Sequence, residues 1–183
     1  MVIAFLRLAG LATAAVWLGG TVLFIFIVDP LFGRAEFVRL LGPLHAGETG
    51  FLAAERFQMF QVICASVAIM TTLADWLYSG RALDRRVIAL LVVLLALGSL
   101  GRLWLVPKCR DLNLQTYLGP GRQILRQPTT PEQRQAENSL AVWSGVTVFL
   151  NIVVLSGTFV FFLQSAAPSE GGSRLFSRNR RRI

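Results

Sequence analysis

The sequence predicts an all-α integral membrane protein, a four-helix bundle running up-down-up-down, and three observations carry that expectation. Four long runs are free, or nearly free, of charged side chains: Leu8 to Val28, Phe57 to Ala74, Val87 to Val106 (broken only by Arg102) and Leu140 to Ala167. Charged residues make up only 15% of the 183 and hydrophobic ones 54%, against about 25% charged in soluble domains, too little charge to cover a water-facing surface. Each run is also long enough. At about 1.5 Å of rise per residue, roughly 20 residues cross a ~30 Å hydrocarbon layer, and a helix satisfies its own backbone groups where lipid offers no partner. The predicted spans are about 8–28, 57–77, 87–106 and 140–165, within one domain of residues 1–167, followed by a tail of residues 168–183.

The first run contains Ala12-Thr13-Ala14, a small-x-small pattern of the kind found at processing sites. Arg7 interrupts the apolar stretch before it and apolar sequence continues to Val28, so the run reads as a span and not as a cleaved leader. Asp29-Pro30 marks its exit. An amphipathic piece follows from about Ala35 to Leu41, and Gly42, Pro43, Gly47 and Gly50 are expected to break up the chain before span two. His45, the single histidine, sits in this stretch beside Glu48 and reads as a solvent-facing loop residue in preference to a weak metal ligand.

Helical periodicity of about 100° per residue sorts the polar residues of the spans onto faces. Span one gathers Gly10, Thr13, Trp17, Gly20 and Thr21; span two gathers Gln58, Gln61, Ala65, Ala68, Thr72 and Asp75. In span three Gly98, Ser99 and Arg102 share a face, and in span four Ser144, Thr147, Asn151 and Thr158 form a narrow line. Lipid rewards none of these groups, so the faces are expected to turn inward, with hydroxyls and amides bonding across helices. Gln58, Gln61, Thr72, Ser99, Ser144, Thr147 and Asn151 therefore form a candidate intramembrane polar seam. It reads in two ways, as packing glue or as a path for a polar solute.

A charge inside a span costs about 2.5 to 3.5 kcal/mol on insertion scales and marks a candidate functional position. Arg102 lies near the outer end of span three, where its guanidinium can also snorkel to water. Spans two and three form an antiparallel hairpin, which brings Glu55 to similar depth and predicts a Glu55–Arg102 ion pair. Asp75, at the other end of span two, has Arg7 and Arg81 as candidate partners.

The third loop, Pro107 to Ser139, is interrupted by Gly119-Pro120-Gly121 and Pro128. Thr130-Pro131-Glu132-Gln133 then supplies a hydroxyl N-cap, proline at the first helical position and Gln three residues after the cap. The fourth helix is thus expected to start outside the membrane and run from Pro131 to about Ser165. The tail that follows ends in Arg178-Asn179-Arg180-Arg181-Arg182 and reads as disordered. Arg178, Arg180, Arg181 and Arg182 serve first as a topology determinant, and alternatively as contacts for anionic lipid headgroups.

Basic residues on the two sides are nearly equal in number, but Arg81, Arg85 and Arg86 crowd one short turn, where basic residues weigh most. Both termini are therefore placed in the cytoplasm and the protein in the cell (inner) membrane. The net charge of +8 does not signal nucleic acid, because no aromatic residues interleave with the arginines as stacking platforms. One histidine cannot supply paired axial ligands for a haem, and two cysteines at different depths offer neither a disulfide nor a zinc centre, so no cofactor is expected. No nucleotide-binding or hydrolase motif is present.

Trp17-Leu18-Gly19-Gly20, the aromatic-rich run to Asp29-Pro30-Leu31-Phe32, and Val106-Pro107-Lys108 after span three resemble the DUF4149, or TMEM205-like, membrane proteins. In that family the last span often carries His, then Ser three residues on, then Asn four further; here those positions read Ser144, Thr147 and Asn151. The departure at Ser144 removes the imidazole that a proton- or metal-handling role would use. The resemblance implies a four-span fold and no established reaction. Together these readings give a non-catalytic membrane protein in contact with the bilayer, a structural or accessory subunit associating with other membrane subunits or itself, or alternatively a small-solute or metal-ion transporter or channel.

Overall fold

The computed structural model describes residues 2–79, 85–119, 123–125, 127–128 and 130–166. The first span is α1 (Val2–Leu23), a π-helical turn (Phe24–Val28) and α2 (Asp29–Phe32); the short α3 (Ala35–Leu41) follows. Span two lies within α4 (Pro43–Ser79), span three within α5 (Arg85–Leu100), a second π-helical turn (Gly101–Leu105) and α6 (Val106–Tyr117), and span four within α7 (Pro131–Ala166). Four helical runs are long and apolar enough to cross a membrane.

The two π-helical turns have a common cause. Each precedes a proline by two residues, Pro30 in one case and Pro107 in the other. A proline inside an α-helix lacks its N–H and drives its ring into the carbonyl four residues back. In the wider turn Asp29 N–H reaches Phe24 O and Val106 N–H reaches Gly101 O, five residues back in both helices, which relieves that clash. The helix therefore continues through Pro107 to Tyr117, whereas the sequence pattern ended it at Val106. Gly47 and Gly50 likewise do not interrupt the chain, since α4 begins at Pro43 and runs unbroken for 37 residues. The break falls at Gly42 alone, whose φ of +80° is left-handed backbone and whose N–H closes α3 on Val38 O at 2.8 Å.

The fourth helix begins at Pro131 and extends for 36 residues. Its start is a reciprocal capping box: Gln133 N–H donates to Thr130 Oγ1 at 3.3 Å and Thr130 N–H donates to Gln133 Oε1 at 3.1 Å.

The helices form a ring in which α4 and α7 each pack on α1 and on the α5–α6 run. Close contacts fix the registers. Gly20 meets Phe60, Phe24 stacks on Phe57, Gly98 meets Gln61, Gly101 meets Gln58 and Gly157 meets Leu94, so every neighbouring pair is antiparallel. Tryptophans mark where the lipid ends. Trp104 and Trp143 pack edge to face at 5.1 Å toward the loop end, while Trp76 and Tyr78 are exposed toward the end that holds the chain termini. By the register of α4 against α5, Trp104 is level with Glu55, and the roughly 21 residues from Glu55 to Trp76 rise about 32 Å, the thickness of a hydrocarbon core.

Beyond Glu55, α4 continues for about 12 residues, or roughly 18 Å, and with α6 and the start of α7 builds a helical head outside the lipid. Its interior holds Leu44, Ala46, Cys109, Leu112, Asn113, Thr116, Gln133 and Ala136. Both cysteines, Cys64 in the bundle and Cys109 in the head, are free and buried.

A buried amide layer as the candidate functional site

The interior of the bundle divides into two levels. Nearer the termini, Ala14, Trp17, Cys64, Ala65, Ala68, Leu91, Leu94, Val154 and Phe161 form a contiguous apolar plug, with the Trp17 and Phe161 rings 6.3 Å apart. Toward the loop end the plug gives way to Thr21, Gln58, Gln61 and Asn151, all buried. Gln58 and Gln61 lie three and six residues inside the Glu55 level, about 4.5 and 9 Å below the tryptophan belt. The Gly157–Leu94 contact sets Asn151 about level with Leu100, and hence between Gln58 and Gln61. The stacked rings of Phe24 and Phe57, 3.9 Å apart, flank this level.

The glutamines are placed by glycines on the facing helix. A Cβ on Gly101 would fall 2.8 Å from Gln58 Nε2, and one on Gly98 would stand 3.7 Å from Gln61 Oε1. Only a bare backbone at position 101 leaves room for an amide at this separation. Gln61 is 1% exposed, Gln58 5% and Trp17 0%. Both amide atoms of Gln61, Oε1 of Gln58 and Nε1 of Trp17 are buried with no hydrogen-bond partner among the described residues. A buried polar group without a partner costs about 1 to 3 kcal/mol, so this layer is a concentrated source of instability.

The other expected seam residues are arranged differently. Thr72 is half-buried and donates to Ala68 O at 2.7 Å; Thr147 is half-buried and donates to Trp143 O at 3.0 Å. Thr21 and Thr158, both buried, donate to Trp17 O and Val154 O at 2.8 Å. These hydroxyls bond back to their own helix four residues earlier, which satisfies their protons without a neighbour, and Thr147 is in addition hydrogen-bonded to the Cys109 side chain across helices. Ser99 is half-buried. Ser144 is exposed and lies outside the seam. The buried residues of α7 run from Gln133 and Ala136 to Asn151, Val154, Thr158 and Phe161, and at the height of Ser144 it is Trp143 that faces the neighbouring helix, edge to face with Trp104.

The expected Glu55–Arg102 pair is not formed: neither residue has an ion-pair partner among the described residues. Both helices continue outward, and the pairing occurs about two turns further out, where Arg110 Nε donates to Glu48 Oε2 at 2.8 Å. Of the candidate partners of Asp75, the side chain of Arg7 and all of Arg81 lie outside the described residues, as do Arg178, Arg180, Arg181 and Arg182.

The head holds polar residues that the sequence pattern missed. Asn113 Nδ2 donates to Leu44 O at 3.4 Å, and its amide rests on Gly47, where a Cβ would come within 2.7 Å of Oδ1. Reading residues 107–139 as a loop hid this pairing of a glycine with an amide, the same device that joins Gly101 to Gln58.

A family model described as Domain of unknown function (DUF4149) matches residues 12–117, more than half of the chain. The chain belongs to the DUF4149 family. No curated protein and no solved structure matches it. The DUF4149 match takes in Trp17, Thr21, Gln58, Gln61, Gly98 and Gly101, which is the layer's contribution from α1, α4 and α5, whereas Asn151 and Thr158 on α7 lie beyond it.

Chemically, the layer offers uncharged hydrogen-bond donors and acceptors: two carboxamides from α4, one from α7, an indole N–H and hydroxyl oxygens. None of these groups titrates near neutrality. The arrangement can hold a neutral polar molecule.

Proposed function

We propose that this membrane protein is non-catalytic and that its amide layer binds and passes a small polar solute. The observation that carries this reading is the set of partnerless polar atoms on Trp17, Gln58 and Gln61, gathered within about two helical turns at one level of the bundle. Groups so costly to bury persist where a function repays them. We place the termini in the cytoplasm of a cell (inner) membrane, from the arginine density at 81–86, so that the layer lies on the extracytoplasmic side.

Reconstitution of the full chain into vesicles and stopped-flow light scattering after an osmotic step with glycerol, urea or potassium chloride tests the proposal. Faster relaxation than in protein-free vesicles for at least one solute, lost in Gln61→Met, supports it. Protein-free rates for every solute overturn it.

A second reading, an accessory subunit of a membrane assembly, draws on α3, where Leu40 is 85% exposed on a helix that packs against α4 ahead of the lipid span. Under that reading a partner of fixed stoichiometry copurifies from native membranes in mild detergent, and Leu40→Glu releases it.

A further inference from the structure

The partnerless atoms of the layer form a definite set, two donors and two acceptors. The donors are Trp17 Nε1–H and Gln61 Nε2–H; the acceptors are Gln61 Oε1 and Gln58 Oε1. By register, Trp17 is opposite Cys64 on α4, one turn from Gln61, and Gln58 is one turn from Gln61 on the other side. The three side chains thus occupy consecutive turns facing one interior.

Charge selects among the molecules that could answer this set. No Asp, Glu, Lys or Arg stands among the buried residues of the layer or of the plug beneath it. A cation would use the two acceptors and strand both donors, and an anion would do the reverse; either would also bring an uncompensated charge below the belt. A neutral group that both donates and accepts satisfies all four atoms.

Resting on the solute-site reading above, we infer that the layer takes a neutral primary amide or a urea. The carboxamide of Gln61 pairs with the ligand amide through two parallel N–H to O hydrogen bonds, one in each direction. The ligand carbonyl's second lone pair accepts from the Trp17 indole, and its remaining N–H donates to Gln58 Oε1. Because the Trp17 indole can only donate, it fixes which way round the ligand amide and the Gln61 carboxamide lie. The ligand arrives from the loop end, because Gln58 lies about one turn inside the tryptophan belt there, while the apolar plug separates the layer from the other end. Trp17 is the specificity-determining donor, with its ring built into the plug and its N–H unpaired.

The test is saturation-transfer NMR on the full chain in nanodiscs, with acetamide as probe and empty nanodiscs as the control. Acetamide is expected to receive saturation from the protein and to be displaced by urea, but not by acetate or ammonium. Trp17→Phe, which keeps a six-membered aromatic ring and removes the donor, is expected to weaken acetamide about tenfold, the worth of one hydrogen bond. Gln61→Met is expected to abolish the signal, and its unfolding transition reports whether it is folded. Acetate or ammonium competing as well as urea, or unchanged acetamide binding in Trp17→Phe, overturns the assignment. Absence of acetamide binding with solute flux still present in vesicles also overturns the ligand class and leaves the solute-path reading standing. Acetamide binding without flux of any solute does the reverse.

Discussion

Replacing Gln61 by methionine separates glue from pathway by the sign of one number. Methionine matches glutamine in length and flexibility but carries no amide, so the exchange removes two buried polar atoms that have no partner among the described residues and keeps the contact with Gly98. If the amide is orphaned, the folded state loses a penalty of about 1 to 3 kcal/mol, and the folding equilibrium rises roughly 5- to 150-fold. Were Gln61 cross-linking helices, the variant would instead lose about 0.6 kcal/mol, the mean for an interhelical hydrogen bond in a membrane bundle. Steric trapping or detergent-induced unfolding of the wild type and the variant, without added solute, reads the difference directly. A Gln61→Met protein less stable than the wild type refutes the reasoning, because it would mean that the amide is satisfied in the folded bundle.

The remaining predictions concern the supports of the site. In a double-mutant cycle, Glu48→Gln and Arg110→Gln should couple by about 0.2 to 1 kcal/mol, since the side chains are 20% and 50% exposed, and the coupling should shrink with added salt. The same cycle on Glu55→Gln and Arg102→Gln should be additive within about 0.5 kcal/mol. Thr130→Ala removes the capping hydroxyl of α7 and should cost about 1 kcal/mol, with faster amide exchange confined to the first turn after Pro131. Gly101→Ala drives a Cβ into the Gln58 amide and should destabilise by about 1 to 3 kcal/mol, whereas Gly145→Ala, with nothing within 4 Å, should gain up to about 1 kcal/mol.

The span number, the helix order and the capping box at Thr130 were legible in the sequence because hydropathy and local hydrogen bonding decide them without tertiary information. So was the inward face of span two, where Gln58, Gln61, Ala65 and Ala68 are all buried. The misreadings share a physical origin, in that local punctuation was overridden by packing. Pro107 does not stop its helix because a π-helical turn absorbs the ring, and Gly47 does not break α4 because it serves as the seat of Asn113. Periodicity also misplaced Ser144, which is one heptad before Asn151 yet exposed, because at its height α7 meets its neighbour through Trp143 against Trp104. The ion pair failed for a related reason: Glu48 and Arg110 could be matched only once both helices were known to continue past the membrane.

The threonines sharpen what the amides mean. An ordinary bundle that used polar residues as glue would tie hydroxyls and amides to one another across the interface, and both would be scattered along it. Here Thr21, Thr72 and Thr158 donate into their own helices and ask nothing of their neighbours, while Thr147 donates into its own helix and is also joined to Cys109 across the interface. Among the described residues, partnerless buried atoms cluster on Gln58, Gln61 and the Trp17 indole at the upper edge of the apolar plug, and two more stand apart, Glu48 Oε1 in the head and Asp75 Oδ1 near the other end of α4. Packing alone supplies no reason for three such side chains to neighbour one another, and apolar side chains at the same positions would bind the helices more tightly. A site kept at the expense of stability, open in chemistry to neutral hydrogen-bonding molecules and sealed by apolar packing beneath, has the form expected where a solute is received from one face.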